Sequence, residues 1–415
     1  MKVLFITIGA VSNLADRGVY TDLLRKFKAE GHQVYVVGAL EKRTGMSTYL
    51  STECGINILR VKTGNLTKSK LLEKGIATMR LGRQYQKAIR KYYKNIEFDL
   101  ILYTTPPITI ANLIVKIKQK YNSFTYLLLK DIFPQNAVDL NMLSTRGYRR
   151  IIYQYFRYIE KKLYKASDKI GCMSRANVEF LHKHNPEIPL WKIEECPNTI
   201  DSISEKPEIN REEILKKYKI PANKYLLMYG GNFGRPQNVE YIVRVLKKCK
   251  DIDNVHFIMC GAGTDFYKLE NYYKQYSPDH ITIVPHLPYK EYVALLSVCD
   301  IGLLFLDYRF TIPNFPSRLL DYMNYGLPVI AATDNNTDVG KVIEDNGFGW
   351  WIESKDPEKF YYLLKQIFSG NDIDEKLEKM SSLSKKCLEE KYTTEYSYNV
   401  IINSFRDKDN IFPNR

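Results

Sequence analysis

Cysteine is sparse and unpaired in this sequence. Its seven cysteines, at positions 54, 172, 196, 249, 260, 299 and 387, are scattered and form no Cys-x-x-Cys pair. Cys172, Cys260 and Cys299 sit in or beside apolar strand-like runs, so buried free thiols in a reducing compartment are expected, not a disulfide frame or a zinc site. No apolar run reaches the roughly 18 residues a membrane-spanning helix needs. The first residues enter the strand-like KVLFITI without a basic stretch and long apolar segment, so no secretion signal is expected. Glycine is missing from the places a dinucleotide fingerprint requires: the segment after the first strand, GAVSNLADRG, is not GxGxxG, which removes the main sequence support for a dehydrogenase. Metal-binding patterns are equally thin. His182 and His184 stand two apart on a helical stretch and point in different directions. The triplets Asp251-Ile252-Asp253, Asp372-Ile373-Asp374 and Asp407-Lys408-Asp409 precede a strand or lie in polar helical and tail contexts, so no metal site is expected.

What is present is a chain of 415 residues, too long for one ordinary core, for which two domains of roughly 200 residues each are expected. Positive charge is concentrated in one half. Residues 1–200 hold 33 Lys+Arg against 16 Asp+Glu, whereas residues 201–415 hold 28 against 31. Lys62 to Lys94 is strongly basic, with Glu73 its one acid. Leu71 to Tyr93 has helical spacing, with Leu72, Ile76, Met79, Leu81 and Tyr85 available for one side. Lys74, Arg80, Arg83, Lys87, Arg90 and Lys91 spread around the rest. A basic amphipathic helix suits an anionic membrane surface or an acidic ligand; a solvated basic face is the plain alternative. Nucleic acid is not expected as a partner, because no reader motif accompanies the charge.

Short apolar strands alternate with helical stretches in both halves. In the first, Val3–Ile8, Gln33–Val37, Leu100–Tyr103, Thr125–Leu129 and Lys169–Cys172 read as strands, with helices over Tyr20–Glu30, Tyr148–Tyr164 and from Ser174. In the second, Leu226–Tyr229, Val255–Cys260, Ile281–Val284, Ile301–Leu306 and Val329–Ala332 read as strands. The polar run from Cys196 to about Ala222 lies between them. Such alternation predicts an α/β fold, two Rossmann-like doubly wound sheets with a cleft between them and ligands beyond the carboxyl ends of the strands.

Two stretches carry the chemistry. Ile301 to Ala332 reads as strand, loop, helix, strand, with Pro316 setting the entry and Ser317 as helix N-cap. The backbone N–H groups of Arg318, Leu319 and Leu320 would then favour a phosphate, and Asp321 one turn on suits a sugar hydroxyl. An ordinary capped helix is the plain alternative. The strand Leu226–Tyr229 runs into GGNFGRPQN, whose glycines permit close approach and whose Arg235 suits a diphosphate. A tight turn with a surface Arg is the alternative there. Gly261 and Gly263 mark another strand end on the same edge.

In this order the segments resemble the two-domain retaining glycosyltransferases of family 4, which have the GT-B fold. GGNFGRPQN resembles that family's GN(L/I)G(R/K) loop, CGAG its GxG, PHLPYKEYVALLSVCDIGLL its proline turn and acidic helix, and FPSRLLDYMNYGLPVIAA its PSKLLEYMAxGxPVIA run. YKASDKIGCMSRANVEFL and CPNTID resemble segments of the first domain and the interdomain connection. TTPPITIANL and KDIFPQNAVDLNML look like the capsule and O-antigen branch that includes fucosamine transferases.

The resemblance implies a first domain over residues 1–198 that binds the acceptor and a linker over 199–223. It implies a donor-binding domain over 224–392 and a terminal helix within 393–415 returning to the first domain. The donor, a nucleotide sugar most simply UDP-linked, would meet Gly231, Asn232, Gly234, Arg235 and Gln237, then Gly261 and Gly263. His286 and Leu287 would meet its base; Pro316, Ser317, Arg318 and Leu319 its diphosphate; Asp321 its ribose. Arg17, Gly18, Thr105, Pro106, Lys130 and Asp131 would face the acceptor, an undecaprenyl-diphosphate-linked glycan, on the inner face of the cell membrane. Asp131, Arg235 and Asp321 are the catalytic candidates. Neither a cofactor nor a metal is expected, because Arg235 and the Ser317 helix end would stabilise the leaving diphosphate. The sequence departs from the family in four places. Pro313 stands where the first of two paired glutamates is usual, and Gln237 and Asn238 occupy the place of a lysine after the loop arginine. The first-domain loop lacks its Gly-Gly, and Lys130-Asp131 replaces His-Asp. A catalytically silent nucleotide- or glycan-binding relative and a nucleotide-sugar 2-epimerase remain the alternatives.

Overall fold

The computed structural model describes residues 1–9, 13–67, 69–203 and 209–408, with the side chains of Leu71, Leu72 and Arg149 excepted. Residues 10–12 of the expected acceptor loop, Lys68 of the basic stretch, 204–208 of the expected linker and 409–415 of the expected terminal segment lie outside the described residues. The chain forms two units, Met1–Asp201 with Thr393–Arg415, and Ser202–Tyr392.

The first unit is built on the strands β1 (Lys2–Ile6), β2 (Gln33–Glu41), β3 (Tyr49–Glu53), β4 (Ile56–Thr63), β5 (Leu100–Thr104), β6 (Phe124–Leu129), β7 (Lys169–Cys172) and β8 (Ile193–Glu195). They lie in the order β3-β4-β2-β1-β5-β6-β7-β8. Every neighbouring pair is parallel except β3 with β4. Strands covered on both faces read as unbroken apolar runs, which is why VYVVGAL and LILYT carry so few polar residues. Phe5 lies in register between Val36 and Leu102, and all three are fully buried. The hairpin of β3 and β4 went unseen in the sequence because its turn is Cys54-Gly55, both at positive φ, where Asn-Gly is the usual signal. The helices α1 (Val19–Ala29), α2 (Leu71–Tyr92), α3 (Ala111–Tyr121), α4 (Gln135–Asp139), α5 (Arg149–Ala166) and α6 (Arg175–His184) connect these strands.

The second unit holds α7 (Arg211–Tyr218), β9 (Tyr225–Asn232), α8 (Val239–Lys248), β10 (Val255–Ala262), α9 (Phe266–Tyr276), β11 (Ile281–Pro285), α10 (Tyr289–Leu296) and β12 (Ile301–Phe305). It continues through α11 (Arg318–Asn324), β13 (Val329–Thr333), α12 (Val339–Asp345), β14 (Gly349–Glu353), α13 (Pro357–Ile367) and α14 (Ile373–Lys391). Its sheet is wholly parallel in the order β11-β10-β9-β12-β13-β14. The order reverses between β9 and β12, so ligands of such a sheet meet the loops that follow these two strands. Local sequence sets each element; in α8, Val239, Ile242, Val245 and Leu246 recur at helical spacing, all buried, and Asn238 caps the helix by accepting from the Tyr241 N–H. Burying each such side chain contributes about 1.5–3 kcal/mol.

The last helix, α15 (Thr394–Arg406), belongs to the first unit. Tyr398, Ile401 and Ile402 join the core of β1, β2 and β5, and Tyr398 meets Phe27 edge-on with ring centroids 5.0 Å apart. The Thr394 N–H donates to the Ile200 carbonyl, and Lys26 of α1 pairs with Glu395.

Candidate active site

In the second unit, the ends of β9 and β10 and the loops that follow them carry glycines because the two strand ends touch. Gly261 is the register partner of Gly231, and a Cβ on Gly261 would stand 1.8 Å from the Gly231 carbonyl oxygen. A Cβ on Gly263 would stand 2.2 Å from the Phe233 carbonyl oxygen. Gly231 and Gly261 also take positive φ, at 134° and 151°. The glycines therefore serve the close approach of two backbones before they serve any ligand. The loop is closed by Gln237, whose side-chain oxygen accepts from Asn232 Nδ2 at 2.8 Å and from the Gly234 N–H at 3.2 Å. Gln237 thus staples its own turn, and the Gly234 N–H is already used. Arg235 stands exposed at the start of that turn, beside Pro236, whose carbonyl accepts from the Asp307 N–H after β12.

At α11 the structure corrects two details of the expected phosphate site. Ser317 occupies the N-cap position, but with helical backbone angles and no side-chain capping bond. The Leu319 and Leu320 N–H groups donate to the carbonyls of Pro316 and Ser317, because the first turn tightens to i→i+3 bonding. Two of the three backbone donors expected there are therefore occupied. The side chain of Arg318, which sequence reasoning passed over in favour of its N–H, is the more consequential group. Its guanidinium lies over the Tyr229 ring, 4.3 Å from the centroid, and packs beneath Gly231, where a Cβ would come within 2.9 Å of Nη2. Arg318 Nη1 is buried with no hydrogen-bond partner among the described residues. A buried donor left open costs about 1–3 kcal/mol, so its retention points to use.

Tyrosines frame this arginine. The Tyr322 hydroxyl lies 3.0 Å from the Leu303 carbonyl and 3.2 Å from the Met228 carbonyl, either of which can take its proton, and it accepts from the Gly230 N–H at 3.2 Å, which ties α11 to the middle of the sheet. The ring of Tyr292 stands where a Cβ on Gly230 would be, at 2.5 Å. Burial pushes the Tyr292 hydroxyl well above its ordinary value, and the nearby Tyr322 and Asp321 push it in the same direction. Asp321 is half-buried. His286 and Leu287 follow β11, exposed and half-buried respectively. After β12, Arg309 grips the buried Asp307 through Nε at 2.9 Å and Nη2 at 2.5 Å. This pair went unpredicted, and its only signal was an Asp and an Arg directly after an apolar strand.

In the first unit, β5 and β6 end side by side. Thr105, buried after β5, accepts through Oγ1 from the N–H groups of Lys130 at 3.1 Å and Asp131 at 3.4 Å. Pro106 is exposed beside it, between two cis peptide bonds. Asp131 Oδ1 accepts from Asn136 Nδ2 at 2.6 Å. Burial pushes the Asp131 carboxyl up to about 6, opposed by the Asn136 and Ile132 hydrogen bonds and assisted by Glu160. Burial also holds the Lys130 ammonium below its ordinary value, with Nζ 3.4 Å from the Cys196 carbonyl oxygen. Thr105, Pro106, Lys130 and Asp131 are thus brought together. Arg17 and Gly18 stand just before α1: the Arg17 guanidinium donates to the Asp201 carbonyl, and the Gly18 N–H donates to the fully buried Asp22 at 3.0 Å.

Among the described residues, no group of three or more His, Cys, Asp or Glu is placed to hold a metal ion. The residues expected on the donor side all fall within one stretch of the second unit, and comparison with known proteins bears on that stretch. Residues 210–386 match the family Glycosyl transferases group 1. The matched segment runs from α7 into α14 and contains the glycine loop, Arg318 and Asp321. Among curated proteins, the chain is similar to the probable glycosyltransferase WbjE of Pseudomonas aeruginosa, 22% identical over 307 residues that span 72% of this chain and 73% of the relative. Among solved structures, it is similar to sucrose-phosphate synthase of Thermosynechococcus elongatus, with a TM-score of 0.75 at 13% identity, covering 98% of this chain and 99% of the other. It is also similar to HepE of Anabaena, solved in complex with UDP-glucose, with a TM-score of 0.68 at 12% identity, covering 98% and 100%. At such identities the likeness concerns the fold, and the fold is GT-B, with two Rossmann-like units.

Proposed function

We propose that this chain is a glycosyltransferase of polysaccharide or lipopolysaccharide biosynthesis. In this reading it moves a hexose, or an N-acetylated or deoxy hexosamine, from a UDP-sugar to an undecaprenyl-diphosphate-linked glycan, with retention and without a metal. One observation carries the reading. The segment that matches the glycosyltransferase family places Arg235 outside the β9–β10 glycine junction and the open Nη1 of Arg318 beneath it.

Breaking a sugar–diphosphate bond builds positive charge on the sugar and negative charge on the leaving nucleotide. Two guanidinium groups at the switch point of the second sheet suit the negative partner, because charge-assisted bonds to phosphate are the strong ones. Asp321 is suited to a ribose hydroxyl. A carboxyl with a pKa of about 6, as at Asp131, is suited to receiving a proton from an acceptor hydroxyl near neutral pH or to orienting it. The complex of HepE with UDP-glucose supports a UDP-linked donor, the probable glycosyltransferase WbjE supports sugar transfer, and similarity to a putative colanic acid biosynthesis glycosyl transferase, WcaI of Escherichia coli, supports a role in polysaccharide synthesis. The basic first unit supports placement on the inner face of the membrane against anionic lipid.

Thermal stability measured against a panel of nucleotides and nucleotide sugars, with and without EDTA, tests this reading. A selective rise with UDP or one UDP-sugar that survives EDTA is expected; at a hundredfold excess over Kd the stabilisation is about 2.7 kcal/mol. A flat panel refutes the donor class. Anomeric proton signals of the product test retention. A second reading, a nucleotide-binding relative without turnover, is favoured by Pro313, buried where the family's first glutamate is usual. UDP binding with neither hydrolysis nor transfer would establish it.

A further inference from the structure

Helix α5 is amphipathic, and its apolar stripe is covered over only part of its length. Towards its C-terminal end Ile159, Leu163 and Tyr164 are buried in the first unit. Towards its N-terminal end the apolar positions are open: Ile151 is 72% exposed, Ile152 47%, Tyr155 41% and Tyr158 63%. Four large apolar side chains left open on adjacent turns mark a surface that takes a cover. It is continued by α2. Tyr155 Oη stands 3.7 Å from Met79 Sδ, and Met79 and Ile76 expose 46% and 49% of their surface on adjacent turns.

Charge says what covers it. Leu71–Tyr92 carries six Lys and Arg against one acid, and Arg149–Ala166 carries six against one. The single acid of α5, Glu160, is buried against Arg157 and Tyr164. Arg80, Arg83 and Lys87 of α2 and Arg150 of α5 are exposed, and none makes an ion pair among the described residues. Isoleucine, methionine and tyrosine at the centre of a basic rim match the layers of an anionic bilayer surface, with acyl chains below and phosphates above.

We propose that the open part of the α5 stripe, extended by Ile76 and Met79 of α2, seats this protein on anionic lipid with its isoleucines in the acyl layer. This goes beyond charge attraction by a basic half, and it deepens the membrane placement within the proposed function. Salt screens the basic rim but not the apolar stripe, so binding through both keeps a salt-resistant part.

The test is co-sedimentation of the full chain with vesicles of phosphatidylcholine alone and of phosphatidylcholine with phosphatidylglycerol, at low salt and at about 0.5 M NaCl. The parent chain is expected to bind the anionic vesicles and to retain part of that binding in salt. The double substitution Ile151→Ser with Ile152→Ser is expected to weaken binding about tenfold or more and to abolish the salt-resistant part. Arg80→Glu with Arg83→Glu is expected to remove the preference for anionic vesicles. Equal binding to both vesicle types, or a serine pair that binds like the parent, overturns the proposal. So does a parent dimer that the serine pair turns into a monomer, because the stripe is then covered by a second copy. The stability shift with soluble UDP-sugar, read on the same variants, separates the two readings. Lost vesicle binding with an unchanged shift supports the surface alone, and retained vesicle binding with a flat nucleotide panel leaves it standing while removing the donor.

Discussion

Asp131→Asn should make this protein more stable and less active, and the gain should depend on pH. Burial raises the Asp131 carboxyl from 3.8 to about 6 in the folded state. The folded protein therefore holds the proton more tightly than the unfolded chain, and stability falls as pH rises from about 4 through about 6. At 1.36 kcal/mol per unit, the ionised carboxylate costs about 3 kcal/mol at pH 7.5 but only about 1 kcal/mol at pH 4.5. The amide cannot ionise and keeps an oxygen for Asn136, so the substitution recovers most of this difference. For a unit of this size each kcal/mol corresponds to about 2–4 °C in Tm. Thermal unfolding should therefore show the variant up to about 6–12 °C more stable at pH 7.5 and up to about 2–4 °C more stable at pH 4.5. Turnover should fall with the lost carboxylate, the pattern of a group kept for function against stability. A variant less stable than the parent by the same margin at both pH values would refute the reasoning.

Other substitutions separate binding from packing. Arg235→Ala, at an exposed position, should leave Tm within about 1 °C and raise the KM for the proposed UDP-sugar donor about 10- to 100-fold, in line with one charge-assisted bond. Arg318→Met should fill the space under Gly231 without a donor; unchanged or raised stability with lost donor affinity is expected, whereas a loss of stability alone would make Arg318 a packing residue. Gly261→Ala should cost more than about 3 kcal/mol by denaturant melt, since its Cβ would collide with the Gly231 carbonyl and force the strand ends apart. Thr105→Val leaves the Lys130 and Asp131 N–H groups without their acceptor and should cost about 1–3 kcal/mol.

Much of the architecture was legible because it is written in local pattern. Apolar runs such as KVLFI and VIAAT mark strands buried on both faces, and the glycines after Tyr229 and Cys260 mark strand ends that meet. β3, β4, β8 and β14 escaped, being exposed, short or mixed in polarity, and their pairing rests on neighbours distant in sequence. The site was legible as a set of loops but not as a set of free groups. Gln237 and the Leu319 and Leu320 N–H groups read as ligand contacts in sequence, yet the fold spends them on its own turns.

By itself the amino-acid sequence determined the strand–helix alternation, the placement of positive charge in the first half and the residues at the strand ends, because each depends on side chains a few positions apart. Only tertiary structure decided which of those residues are open. The Arg318 guanidinium lies over Tyr229, 89 positions away in the chain, with its Nη1 buried, and α5 leaves the first part of its apolar stripe open, which its periodicity alone could not distinguish from a core face. Burial is a property of what packs against a group, and a linear pattern records the group but not its neighbours.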